Sequence, residues 1–99
     1  MKVKTIDIQA KEWFDKINGT SYFSAVITLN FGLKNQKQFK LPFQNGYGEY
    51  YQYKALELLK NKGLINTDRT FELYEQGIVL RSEIQTKCLK KEVVNFGIL

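Results

Sequence analysis

Over residues 21–31 apolar and polar side chains alternate without a break. Phe23, Ala25, Ile27, Leu29 and Phe31 fall on one side, and Tyr22, Ser24, Val26, Thr28 and Asn30 on the other. A period of two is the signature of a strand with one buried and one polar face, because successive side chains of a pleated strand point to opposite faces. A polar turn over 32–36 follows, and 37–43 resumes with Phe39, Leu41 and Phe43 on the apolar side, which predicts an antiparallel hairpin. One whole face of that hairpin must be covered by another layer of the same chain.

The cover is predicted over 49–62, where Gly63 supplies a C-terminal stop. At 100° per residue Tyr51, Ala55, Leu58 and Leu59 share one arc with Leu56 at its margin, the stripe expected to face the sheet. Three further segments complete the expectation. Residues 3–10 alternate with Ile6, Ile8 and Ala10 inward, 78–88 alternate with Ile78, Leu80, Ile84 and Cys88 inward, and 66–77 read as a short helix ending at Gly77. Trp13, Phe14 and Ile17 stand at i, i+1, i+4 ahead of Asn18-Gly19 and predict a short helix or turn anchored on the core. The tail, 89–99, reads as a helical turn packing Val93, Val94 and Phe96. With 99 residues and neither repeat nor linker, the expected fold is a single α+β domain over 1–99. It comprises an antiparallel sheet of about four strands packed on one main helix in two layers.

Histidine is absent, which removes the usual general base at neutral pH, the common metal ligand and the Ser-His and Cys-His nucleophile arrangements. The lone Cys88 allows no internal disulfide and, with no histidine beside it, no structural zinc site. Asp7, Glu12 and Asp15 are close in sequence, but acidic residues at 12 and 15 more simply cap and solvate a first turn. No catalytic residue, metal or cofactor is assigned, and a non-enzymatic protein is expected. Gly46-Tyr47-Gly48 ahead of a helix departs from both phosphate-loop fingerprints, so the glycines are read as serving a tight strand-to-helix turn. No apolar run reaches the length of a membrane span, and strand-like alternation stands where a signal peptide would carry its apolar stretch. The expected setting is cytoplasmic, without a membrane partner, as a monomer or small homo-oligomer.

The functional signal lies in 42–53, where Phe43, Tyr47, Tyr50, Tyr51 and Tyr53 crowd around two glycines. Helical spacing buries Tyr51 and turns Tyr50 and Tyr53 outward beside Lys54, Glu57, Lys60 and Asn61. Tyrosines stack on bases and lysines meet phosphates. Tyr50, Tyr53, Lys54 and Lys60, helped by Lys40 and Tyr47, are therefore the candidate residues for nucleic-acid binding of little sequence specificity. The net charge of +5 rests on 13 lysines and only Arg69 and Arg81, a balance suited to backbone and shape and poor in bidentate base contacts. A charge of this size also serves simple solubility. The same rings suit a protein interface, since aromatic residues with a polar tip dominate binding hot spots. A third reading has Tyr50 or Tyr53 covered by Trp13 or by the tail.

The string Trp13-Phe14-Asp15-Lys16-Ile17-Asn18-Gly19-Thr20-Ser21-Tyr22-Phe23-Ser24, followed by Pro42-Phe43, Gly46-Tyr47-Gly48, Tyr51, Ala55 and Leu58, resembles a group of short accessory proteins encoded by bacteriophages and mobile elements. The resemblance spans roughly residues 6–59. It implies a small accessory protein of a bacterial host cell that acts on host nucleic-acid handling or defence, and it brings no functional residues with it. Its partner would be a nucleic acid or a host protein, for instance a defence enzyme that it inhibits. The hairpin, Gly-x-Gly turn and helix are also similar in order to the back half of a double-stranded RNA-binding domain. The lysine pair that opens that domain's last helix is replaced here by Glu49, Tyr50 and Tyr51.

Overall fold

The computed structural model describes residues 2–98; Met1, and Leu99 at the end of the expected helical tail, lie outside the described residues. Seven elements follow one another: β1 (Thr5–Asp15), β2 (Thr20–Leu29), β3 (Lys37–Asn45), α1 (Tyr50–Asn61), α2 (Thr70–Glu75), β4 (Val79–Gln85) and α3 (Lys90–Phe96). The strands form one sheet in the order β3-β2-β1-β4. The first three make an antiparallel meander, and β4 returns beside β1 in parallel after the chain has crossed over through α1 and α2. The fold is therefore α+β as the alternation predicts, but the sheet is mixed. A strand that returns after a helical crossover can enter parallel, whereas strands joined by tight turns pair antiparallel.

The short helix or turn expected around Trp13, Phe14 and Ile17 is not there as a core anchor. β1 runs straight through it to Asp15, with Trp13 opposite Tyr22 and Phe14 opposite Ser21 on β2. Adjacent apolar residues in a strand face opposite sides, so Trp13 and Phe14 are parted, and Phe14 and Ile17 are exposed rather than anchored. The turn beyond is fixed locally. Asp15 Oδ1 accepts from the Ile17 and Asn18 amides at 3.0 and 3.3 Å, and its Oδ2 accepts from Asn18 Nδ2 at 2.8 Å. Those bonds, the Asn18 side chain first, hold the Asp15 carboxyl below its ordinary value.

One face of the sheet carries Ile6, Ile8, Phe23, Ala25, Ile27, Leu29 and Leu41, all buried against Tyr51, Ala55, Leu56 and Leu59 of α1 and Leu73 of α2. The expected stripe of α1 is shifted slightly, with Leu56 buried and Leu58 half-buried. The other face is not left to solvent, which corrects the two-layer expectation. α3 lies across it, its Val93 fully buried, and Ser24 Oγ donates to the Val93 carbonyl. Lys11, opposite Ser24 on the same face, sets its ammonium 5.0 Å from the Phe96 ring centre. Gly97 fits there because a Cβ would meet Ser24 Cβ at 2.7 Å and the Leu41 carbonyl oxygen at 2.9 Å. Helices thus cover parts of both faces.

Two details reset the parity of the strands. The β2–β3 register shifts between Phe23 and Ala25, so an extra β3 residue bulges out and Phe43 turns to the α3 side. Asn30, expected on the polar face, is fully buried at φ 53, where the chain turns away and leaves Phe31 exposed. Its Oδ1 accepts from the Lys4 and Thr5 amides at 2.7 and 3.3 Å, and its Nδ2 donates to the Lys2 carbonyl at 2.9 Å. One side chain thereby fastens the start of β1 to the end of β2.

Candidate binding face

The strand-to-helix connection determines how α1 presents its rings. Gly46 packs so tightly that a Cβ would meet Phe23 ring carbons at 2.4 and 2.6 Å and Tyr50 Cδ2 at 2.9 Å. Gly48 takes φ +61, the left-handed conformation a side chain disfavours. With the backbone held there, the Phe23 and Tyr50 rings meet edge to face at 6.3 Å, so half of Tyr50 is fixed by the core and the rest faces water. Tyr53, one turn on, stands 5.9 Å from Tyr50, and the two are 49% and 43% exposed; Tyr47 at the turn is 81% exposed. Neither Trp13 nor α3 covers these rings, because both lie on the opposite side of the sheet.

The charges near the rings are paired. Lys54 Nζ lies 6.0 Å from the Tyr50 ring centre and 3.0 Å from Glu57 Oε1. Glu57 also lies close to the Tyr53 hydroxyl, and its carboxylate, favouring the protonated phenol, pushes that hydroxyl above its ordinary pKa. The same contacts, Lys54 first, hold Glu57 below its usual value and raise Lys54. Across from Tyr53, α2 presents Phe71, 57% exposed, and Arg69, whose Nε is 3.9 Å from Glu72. Between the helices runs an open groove of about 400 Å³, lined by Tyr53, Leu56 and Phe71 with Glu49, Asp68 and Arg69 at its rim.

Of the six candidate residues, Tyr47, Tyr50, Tyr53 and Lys54 come together on this face, and Lys60 is exposed about two turns beyond Tyr53. Lys40 does not join them. It pairs with Val26 on the sheet face that α1 leaves uncovered, while its neighbours Phe39 and Leu41 point to the core. Phe71 and Arg69 were not singled out in the sequence, since only the folded chain brings α2 beside α1. A second aromatic group also emerges on the α3 side: Tyr22 stacks on Phe43 at 5.0 Å and on Trp13 at 5.7 Å, and Lys90 Nζ sits 5.4 Å from Trp13. The outward parity of Tyr22 was legible, but the bulge that delivers Phe43 was not. Lys90 is thereby separated from the tyrosine face.

Among the described residues no three His, Cys, Asp or Glu side chains gather as a metal site, and no helix is long and apolar enough to cross a membrane. No protein-family model, curated protein or solved structure matches the chain.

Proposed function

We propose that this chain is a non-enzymatic accessory protein, of the phage type its sequence resembles, that binds another protein through the aromatic face of α1. The Tyr53–Phe71 groove would receive an apolar side chain of the partner. The observation that carries this reading is the pairing of charge around exposed rings. Lys54 faces Glu57, Arg69 faces Glu72, and Glu49 and Asp68 stand at the groove rim. A polyanion is drawn by uncompensated cations, and its binding is governed by how many phosphates they neutralise. A protein surface asks for rigid aromatic anchors with a mixed polar rim, which is what surrounds Tyr50 and Tyr53.

Nucleic-acid binding through the same rings is the second reading, favoured by the Lys54 ammonium 6.0 Å from Tyr50 and by the net charge of +5. One pair of experiments separates the two. Immobilised protein is exposed to host-cell lysate with and without nuclease, and labelled single- and double-stranded DNA and RNA are titrated by fluorescence anisotropy at two salt concentrations. The expected result is a protein partner that survives nuclease. Tyr50→Ala/Tyr53→Ala should weaken it by about 30-fold, the weight of one hot-spot residue of ~2 kcal/mol. Salt-sensitive binding of a nucleic acid that fails in the same double variant would instead transfer the site to the second reading.

A further inference from the structure

The two edges of the sheet are built differently. On β3 the edge carries Pro42, a bulge, and Lys37 and Lys40, the devices by which natural sheets discourage a further strand. On β4, Val-Leu-Arg-Ser-Glu-Ile-Gln, there is no proline, lysine or bulge, and it pairs with β1 in unbroken register from Thr5–Val79 to Lys11–Gln85. Val79 donates its amide to the Lys4 carbonyl at 3.0 Å, so the alternation of a regular strand turns Arg81 and Glu83 toward β1 as well. The backbone groups of Leu80, Ser82 and Ile84 then point outward. The phenol of Tyr74, donating to the Leu80 carbonyl at 3.3 Å from the outer side, agrees with that direction. It occupies one lone pair near one end of the strand and leaves the outward groups of Ser82 and Ile84 with no partner among the described residues.

We infer that β4 is the pairing edge for a second copy of this chain, the two strands running antiparallel about a two-fold axis at Ser82. The sequence is self-complementary in that register. Ser82 meets its own copy, Leu80 meets Ile84, and both pairs use the outward-pointing groups, as hydrogen-bonded positions of an antiparallel ladder must. Arg81 meets Glu83 at the intervening non-hydrogen-bonded positions, where Cα atoms approach to about 4.5 Å and side chains interact most closely. Both project from the α3 side of the sheet, beside Asp7 and Gln9. Arg81 already holds Asp7, with Nε 2.7 Å from Oδ1 and Nη2 2.9 Å from Oδ2. The incoming Glu83 would complete a row of alternating sign, carboxylate, guanidinium, carboxylate, across the joint. A closed two-fold contact of this kind leaves no surface for further addition along that edge, and it doubles the four-stranded sheet into one continuous sheet.

The test is the mass of the full chain by sedimentation equilibrium over a range of concentrations, with each variant first checked for an intact fold by circular dichroism. Wild type is expected to reach twice the chain mass. Ser82→Pro should be monomeric yet folded, because the lost amide faces outward and proline is tolerated on an edge. Arg81→Glu and Glu83→Arg should each be monomeric alone and should form a dimer when mixed, since every pair across the joint is then of opposite sign. Tyr50→Ala/Tyr53→Ala should keep the wild-type mass, which separates this edge from the proposed partner face. The inference is overturned by a wild type that stays monomeric at its solubility limit, or by a dimer that persists in Ser82→Pro and both charge variants. It is equally overturned if the mixed charge variants fail to associate, or if the tyrosine double variant loses the dimer.

Discussion

Asn30 shows how much one side chain can decide. Its amide satisfies two backbone donors and one backbone acceptor at the start of β1, from a position where the main chain has turned left-handed. Asparagine suits both tasks, being among the few side chains that tolerate that conformation and carrying a donor and an acceptor on one planar group. Asn30→Ala removes the partners without removing the groups they served. Urea unfolding should show a loss of about 1–3 kcal/mol, the range for abandoning buried polar groups. Asn30→Asp keeps the Oδ1 acceptor but sets a carboxylate oxygen against the Lys2 carbonyl and buries a charge, so it should lose at least as much at neutral pH; a loss well below that of Asn30→Ala would mean that the bond to the Lys2 carbonyl carries little of the effect. Nothing in the sequence marked Asn30 apart from its neighbours, because its parity placed it on the polar face and only the turn that follows draws it inside.

Elements differ in how far their sequence foretells them. β2 and α1 follow from period alone, since the apolar positions of β2 and most of the α1 stripe are those the structure buries. Three others depend on partners distant in the chain. Trp13-Phe14 has helical spacing with Ile17, yet pairing with Tyr22 and Ser21 holds it extended. The bulge near Pro42 reverses Phe43, and α3 is too short for its period to reveal a face. Helices of fewer than about 12 residues are marginal in isolation, so the seven residues of α3 owe their helix to docking on the sheet. The candidate face was legible to the same extent, with Tyr50 and Tyr53 given by α1 and Phe71 by tertiary packing alone. Val93→Ala deletes two buried methyl groups at the centre of the α3 contact. It should cost about 2 kcal/mol, from roughly 0.8 kcal/mol per carbon with a cavity term added. Trp13 fluorescence during unfolding measures this directly, and an unchanged midpoint would mean that α3 contributes nothing to stability.

At the scale of the molecule, the radius of gyration of 13.8 Å, with extents of 43 × 25 × 20 Å, exceeds the ~13 Å of a compact chain this long. The β1–β2 hairpin continues to Asp15 and Thr20 after β4 pairing has stopped at Lys11–Gln85. Hydrogen exchange should divide along that line. Amides of Ile6, Ile8 and Ala10, covered and paired on both sides, are expected to exchange only on global unfolding, and those of 16–19 at the tip orders of magnitude faster. Equal protection at 16–19 and at Ile6, Ile8 and Ala10 would show that the tip is stabilised by contacts beyond the pairing described. The central place of β1 also sets a timetable for synthesis. Asp7 and Arg81, bonded across β1 and β4, are 74 residues apart. On the ribosome β1 can pair with β2, and β2 with β3, early, while the other flank of β1 stays bare until β4 has been made. For that interval the nascent chain exposes one unpaired edge of an apolar strand, and a polypeptide released before β4 would carry the defect permanently. Such a fragment is a natural client for chaperones and proteases, so the cell would tolerate premature termination in the last quarter of this chain far less well than its small size would lead one to expect.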